Sequence, residues 1–110
     1  AHTLDEWRWY YDQITSPAFA LSFTANHAHL VPEGVEGFLA AMPLERVMEV
    51  RLADCRRNGV EEHLVPGDGD FDFVALFKAL ETHGYRGAYM NAFGSLDDML
   101  AARDLFGHMA

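Results

Sequence analysis

The chain has 110 residues, half of them apolar, enough for one domain with its own core and too few for two. Its 17 Asp and Glu against 8 Lys and Arg leave a net charge of -9, a surface that repels phosphate backbones and anionic lipid, so neither nucleic acid nor membrane is an expected partner. No apolar run approaches the ~20 residues of a membrane span, the opening residues lack a signal-type stretch, and the lone Cys55 rules out a disulfide framework or a cysteine-rich zinc module. A soluble, cytoplasmic domain is expected.

Thr3-Leu4-Asp5-Glu6 has the form of a capping box, and Leu4, Trp7, Tyr10, Tyr11 and Ile14 recur at helical spacing, which predicts a helix over 4–14. Ser16-Pro17 ends it. The apolar run 18–24, with Phe19, Leu21 and Phe23, suits a strand buried on both faces, and Asn26-His27-Ala28-His29 reads as polar punctuation after it. Beyond Pro32, the residues Val35, Phe38, Leu39 and Met42 mark a second helix closed by Pro43. Residues 46–53 form a second strand that alternates Val47, Glu49 and Arg51 against Met48, Val50 and Leu52.

Residues 54–70 are glycine-rich, charged and aperiodic, long for a connection inside a domain and therefore a functional candidate. Asp70 is the expected cap of a third helix carrying Phe73, Leu76, Phe77 and Leu80, ended at Gly84 by a left-handed C-cap. Residues 87–93 make a third strand, and Ser95-Leu96-Asp97-Asp98 caps a last helix that buries Leu96, Met99, Leu100 and Phe106. Helix and strand alternate, with strands short and apolar, so a parallel α/β sheet follows. Three parallel strands have two open edges, whereas a closed (β/α)₈ barrel takes about 250 residues. The expectation is a single partial (β/α) barrel domain over 1–110, a fragment or half of a longer barrel.

Asn26-His27-Ala28-His29-Leu30 behind one strand, Glu49-Val50-Arg51-Leu52-Ala53-Asp54 ending the next, the run Glu61-Glu62-His63-Leu64-Val65-Pro66-Gly67-Asp68-Gly69-Asp70-Phe71-Asp72-Phe73, and Gly84-Tyr85-Arg86-Gly87 before the last strand carry a resemblance. Together they resemble the C-terminal part of the xylose isomerase-like barrels, a group of sugar and sugar-phosphate isomerases and epimerases that also holds the endonuclease IV type of apurinic-site nuclease. The resemblance implies part of a TIM barrel, about three strands and four helices. It also implies chemistry in which a divalent metal, held by carboxylates and histidine at strand ends, polarises sugar oxygens while an acidic residue moves a proton. This chain departs from that pattern. The family's Asp-x-x-His pair reads Thr24-Ala25-Asn26-His27, its next ligand histidine falls on Arg51, and the glutamate ending its last strand falls on Ala92. A guanidinium at a ligand position puts a fixed positive charge where the ion's own would sit. No metal held in the family manner, and no cofactor, is therefore expected.

His27 and His63 are the expected acid/base residues, and Arg51, Asn26 and Asp54 the expected ligand contacts, Arg51 as a clamp for a carboxylate or phosphate. Several have a plainer reading: a hydrogen-bonded turn histidine for His27 or His29, an ion pair with Glu49, Asp54 or a helix carboxylate for Arg51, a simple turn for Gly67-Asp68-Gly69, a loop start for Asp54. Cys55 beside Arg56 and Arg57 has an electropositive setting but no nucleophile's apparatus. Trp7, Trp9, Tyr10 and Tyr11 suit either sugar stacking or a packed barrel-edge or chain-to-chain contact. Phosphate loops, dinucleotide fingerprints, nucleophile elbows and zinc-protease helices are missing from the sequence. Two functions remain: an isomerase or epimerase relative acting on or binding a small polyhydroxylated or carboxylated ligand, and a non-catalytic barrel or half-barrel kept for binding or assembly, whose partner would be the missing half or a second copy. The acidic balance disfavours the nuclease.

Overall fold

The structure, a computed structural model, describes residues 3–58, 60–91 and 93–109. Helix α1 (Leu4–Gln13) starts at Thr3, whose hydroxyl accepts the Glu6 amide at 3.2 Å, as a capping box requires. Strand β1 (Leu21–Thr24) runs straight into a short helix α2 (Ala25–His29), and α3 (Gly34–Ala41) follows. A 3₁₀ turn (Leu44–Arg46) leads into β2 (Val47–Leu52), and α4 (Phe73–Thr82), β3 (Ala88–Asn91) and α5 (Leu96–Met109) complete the chain. The strands lie in the order β1-β2-β3, all parallel, in one open sheet.

One face of this sheet carries the core. Leu21, Phe23, Val50 and Leu52 are buried there, and Leu39 and Leu80 from α3 and α4 close over them. Each such aliphatic side chain contributes ~1.5–3 kcal/mol on burial. Rings connect the layers: Phe23 to Phe38 at 6.4 Å, Phe77 to Tyr89 at 5.1 Å, Phe73 to Phe106 at 4.9 Å. The opposite face is open, with Ser22, Arg51, Ala88 and Met90 exposed. The first strand is thus buried on one face only, not on both as its apolar run suggests.

A register shift refines the alternation read from the sequence. Leu21 pairs with Val47 but Ser22 pairs with Glu49, so β2 spends one extra residue, Met48, at this step. A bulge of this kind turns the side chains on either side of it to opposite faces from those of a regular strand. Val47 is consequently buried with Val50 and Leu52, while Met48 is exposed at 66%.

Two further expectations are corrected. Helix α4 is capped by Asp72, which accepts the Ala75 amide at 2.9 Å, not by Asp70. The Asp70 amide is bonded to the Cys55 carbonyl at 2.9 Å, which holds that residue in the preceding loop. The segment Asn26–His29, read as punctuation, is helical. Gly84 takes φ 85° just past the end of α4, as the C-cap reading expects. Among the described residues no helix is long and apolar enough to cross a membrane.

Candidate functional site at the strand ends

The segment between β2 and α4 has almost no regular structure, so something other than a ladder must hold it. Asp54 does. It is 1% exposed, and its carboxylate accepts the amides of Cys55 (2.8 Å), Gly67 (2.8 Å), Gly69 (3.1 Å) and Phe71 (3.0 Å). Its own backbone exchanges two 2.9 Å hydrogen bonds with Leu64. Both oxygens are thereby committed to main-chain donors, so this expected ligand contact turns inward and organises the loop. Asn26 is also buried, at 1%, and its amide donates to the Glu62 carbonyl at 2.9 Å. The helix that follows β1 is thus tied to the loop that follows β2.

This tie brings His27 and His63 together. Between them stands Glu61. Its Oε1 lies 2.9 Å from His27 Nε2 and 3.1 Å from His63 Nε2, and the two rings meet edge to face at 5.6 Å. The hydrogen bond from His63, followed by the electrostatic influence of the neighbouring His27, holds the Glu61 carboxyl below its usual range. Ionised Glu61 is an acceptor only, so both imidazoles donate to it from Nε2. Sequence reading missed Glu61 as a site residue. The available signal was its spacing of two from His63, which in extended backbone puts both side chains on one side.

Arg51 lies on the open face of the sheet. Its Nε donates to Glu49 Oε1 at 2.8 Å, and the same oxygen accepts Ser22 Oγ at 2.8 Å. These two hydrogen bonds, Ser22 first, lower the Glu49 pKa. The ion pair of the plainer reading is present, yet only Nε serves it. The terminal amino groups make no hydrogen bond or ion pair among the described residues, which leaves the forked end of the guanidinium able to meet an anion.

The sequence model of the xylose isomerase-like TIM barrel family matches residues 1–102. The chain belongs to this family. Among solved structures, a D-tagatose 3-epimerase-like protein is similar to it with a TM-score of 0.61 and 21% identity over 87% of this chain, a likeness of fold. The chain spans 36% of that protein's length. No curated protein matches the sequence.

In barrels of this type the helices lie outside, the opposite sheet face lines the interior, and active sites sit at the C-terminal ends of the strands. By that frame Ser22, Glu49 and Arg51 are interior residues of this xylose isomerase-like chain. His27 and the loop bearing Glu61 and His63 stand at the C-terminal ends of β1 and β2. A cleft of about 600 Å³ opens beside them, lined by Trp7, Ser22, Thr24, His27, Phe38 and Glu61. Trp7 stacks on Tyr11 at 5.3 Å, whereas Trp9 and Tyr10 are exposed.

The fit to a divalent ion divides the site in two. At the positions where the resemblance implies family ligands stand a threonine hydroxyl, a neutral and weak donor, and a guanidinium, a fixed cation with no lone pair to offer a metal; Ala92, the third such position, lies outside the described residues. His27, Glu61 and His63 are different, because their donor atoms all lie within 4.8 Å of one another. Two imidazoles and a carboxylate suit a borderline ion such as Zn²⁺, which bound there would polarise a ligand oxygen. The expectation of no metal held in the family manner concerns Thr24, Arg51 and Ala92 and does not extend to this trio.

Two residues considered from the sequence have structural partners. His29 pairs with Asp70 at 3.1 Å and meets the edge of Phe71 at 5.1 Å. Cys55 is fully buried, and burial followed by the charges of Asp54, Asp70 and Glu62 pushes its thiol up to about 11. The electropositive setting read from Arg56 and Arg57 is absent, since Arg56 is paired with Glu62. A disulfide-forming thiol reagent at pH 8 is expected to label Cys55 only on unfolding; labelling of the native protein at the rate of a free thiol contradicts this. A folded pKa raised above the reference value of 9.0 stabilises the fold below pH 9. That contribution fades as pH rises from 9 towards 11.

Proposed function

We propose that this chain forms the C-terminal part of a barrel that binds a small polyhydroxylated or carboxylated molecule and interconverts it by sugar isomerase or epimerase chemistry. His27 and His63 act as the acid/base pair and Arg51 as the anion clamp. The observation that carries this reading is the meeting of His27, Glu61 and His63 at the strand ends. In the proposed reaction an imidazole takes the proton from a hydroxyl-bearing carbon beside a carbonyl, and the electron pair moves onto the carbonyl oxygen as an enediolate. In isomerisation the proton returns to the neighbouring carbon while the hydroxyl proton passes to the former carbonyl oxygen, leaving the new carbonyl; in epimerisation it returns to the other face of the same carbon. Arg51 offers positive charge to the enediolate or to a carboxylate on the ligand. We propose that this works without a metal held in the family manner; an ion on His27, Glu61 and His63 is the second reading, favoured by their donor spacing.

The test is solvent deuterium exchange followed by NMR, on a panel of ketoses, aldoses and hydroxy keto acids in D₂O. Deuterium is expected at the carbon beside the carbonyl in at least one compound, at a rate that drops in Arg51→Ala and His63→Ala; exchange indifferent to both substitutions removes the assignment. The non-catalytic alternative draws on the open sheet face and the unpaired edges of β1 and β3. Light scattering after size exclusion separates it: a dimer or heterocomplex without exchange supports assembly, and a stable monomer opposes it.

A further inference from the structure

We propose that Asp54 and Asn26 are positioning residues that set the Glu61–His63 segment against His27, an inference that rests on the acid/base role proposed for the two histidines. The segment needs such a device. Glu61 and His63 are exposed on aperiodic backbone, and a flexible loop would let their side chains sample many positions instead of one. Two independent fasteners meet there. Asp54 gathers the distal part of the loop through the amides of Gly67, Gly69 and Phe71, and its main chain pairs with Leu64, the residue after His63. Asn26, the residue before His27, holds the carbonyl of Glu62, the residue between Glu61 and His63. The first fastener fixes the loop to the end of β2, three residues beyond Arg51, and the second fixes it to the helix that bears His27.

The chemistry of the fasteners is demanding. Four N–H donors converge on one buried carboxylate, and a donor left unmatched in such a place is costly. Asp54→Asn keeps the shape but replaces one acceptor oxygen by an NH₂ group, which faces two of those N–H groups donor to donor. The loop must then shift to find new acceptors. Asp70 also bonds the loop, to the Arg57 amide at 3.0 Å, but it is 55% exposed, so water can replace it.

The experiment is the proton NOE between the His27 and His63 rings, recorded on protein with labelled histidine. The wild-type chain is expected to show this cross-peak. Asp54→Asn and Asn26→Ala are each expected to lose it while keeping cooperative thermal unfolding and an unchanged far-UV spectrum. Persistence of the cross-peak in either folded variant, or its absence from the wild type, overturns the proposal; should Asp54→Asn not fold, Asn26→Ala decides alone. A purely stabilising role would lower the melting temperature and leave the cross-peak in place. The readout also separates this inference from the proposed function, because histidine substitutions without effect on exchange would sink the acid/base role and leave the NOE result standing.

Discussion

Substituting His63→Ala is expected to lower solvent deuterium exchange by about a hundredfold to ten-thousandfold, the range in which a positioned acid or base usually contributes. The effect has two sources. The imidazole itself is lost, and Glu61, which accepts from both rings, is left with His27 alone. His27→Ala is expected to act similarly. The double substitution should cost much less than the product of the two, because residues that work through one shared acceptor do not contribute independently. His83→Ala is the control: His83 lies beside Glu36, past the end of α4, and its loss should leave exchange unchanged. Arg51→Ala should weaken a carboxylated ligand by about ten- to a hundredfold and a neutral polyol far less. Part of that loss would be repulsion from the unpaired Glu49 carboxylate. Adding Glu49→Gln should therefore restore some affinity, and parallel dose-response measurements on both ligands check it.

Gly69→Ala is expected to destabilise the fold by about 3 kcal/mol, combining overpacking with the loss of a hydrogen bond to a buried carboxylate. A Cβ at residue 69 would stand 2.4 Å from Asp54 Oδ1 and 2.4 Å from the Cys55 carbonyl. Neither atom can retreat, since Asp54 is held by its four amides and the Cys55 carbonyl accepts the Asp70 amide. Gly107→Ala provides the contrast. It lies inside α5, where a Cβ meets nothing within 4 Å, so alanine there should stabilise by about 0.5–1 kcal/mol. Urea unfolding measures both; equal midpoints for Gly69→Ala and wild type would refute the packing of the loop.

Much of the fold was legible because it depends on local signals. The capping box at Thr3, the periodic Phe73, Leu76, Phe77 and Leu80, and Gly84 past the end of α4 each act within a few residues, and each stands where its pattern points. What escaped depends on contacts distant in sequence. The bulge at Met48 is invisible in an alternating strand, because it is a mismatch of register between β1 and β2. The shift of the α4 cap from Asp70 to Asp72 follows from the bond between the Asp70 amide and Cys55, fifteen residues earlier. In the candidate site, His27 and His63 stand out through their place in the family motif, whereas Glu61 has only its spacing from His63, and its meeting with His27 depends on the tie between Asn26 and Glu62. Asp54 was read as a ligand contact because a carboxylate after a strand end suits one; only its burial and four amide donors reveal a loop organiser.

The proposed function requires that His27, His63 and Arg51 face one ligand at the strand ends. It is tested most directly by titrating the protein with D-gluconate, and separately with sorbitol, while following the histidine ring signals and the Arg51 Nε–H by NMR. Gluconate is expected to shift all three groups along one binding curve, sorbitol to shift the histidines more weakly, and Arg51→Ala to abolish the difference between the two. Gluconate shifts confined to His83 and Arg86 in the cleft at the opposite strand ends, with His27, His63 and Arg51 unmoved, would contradict it.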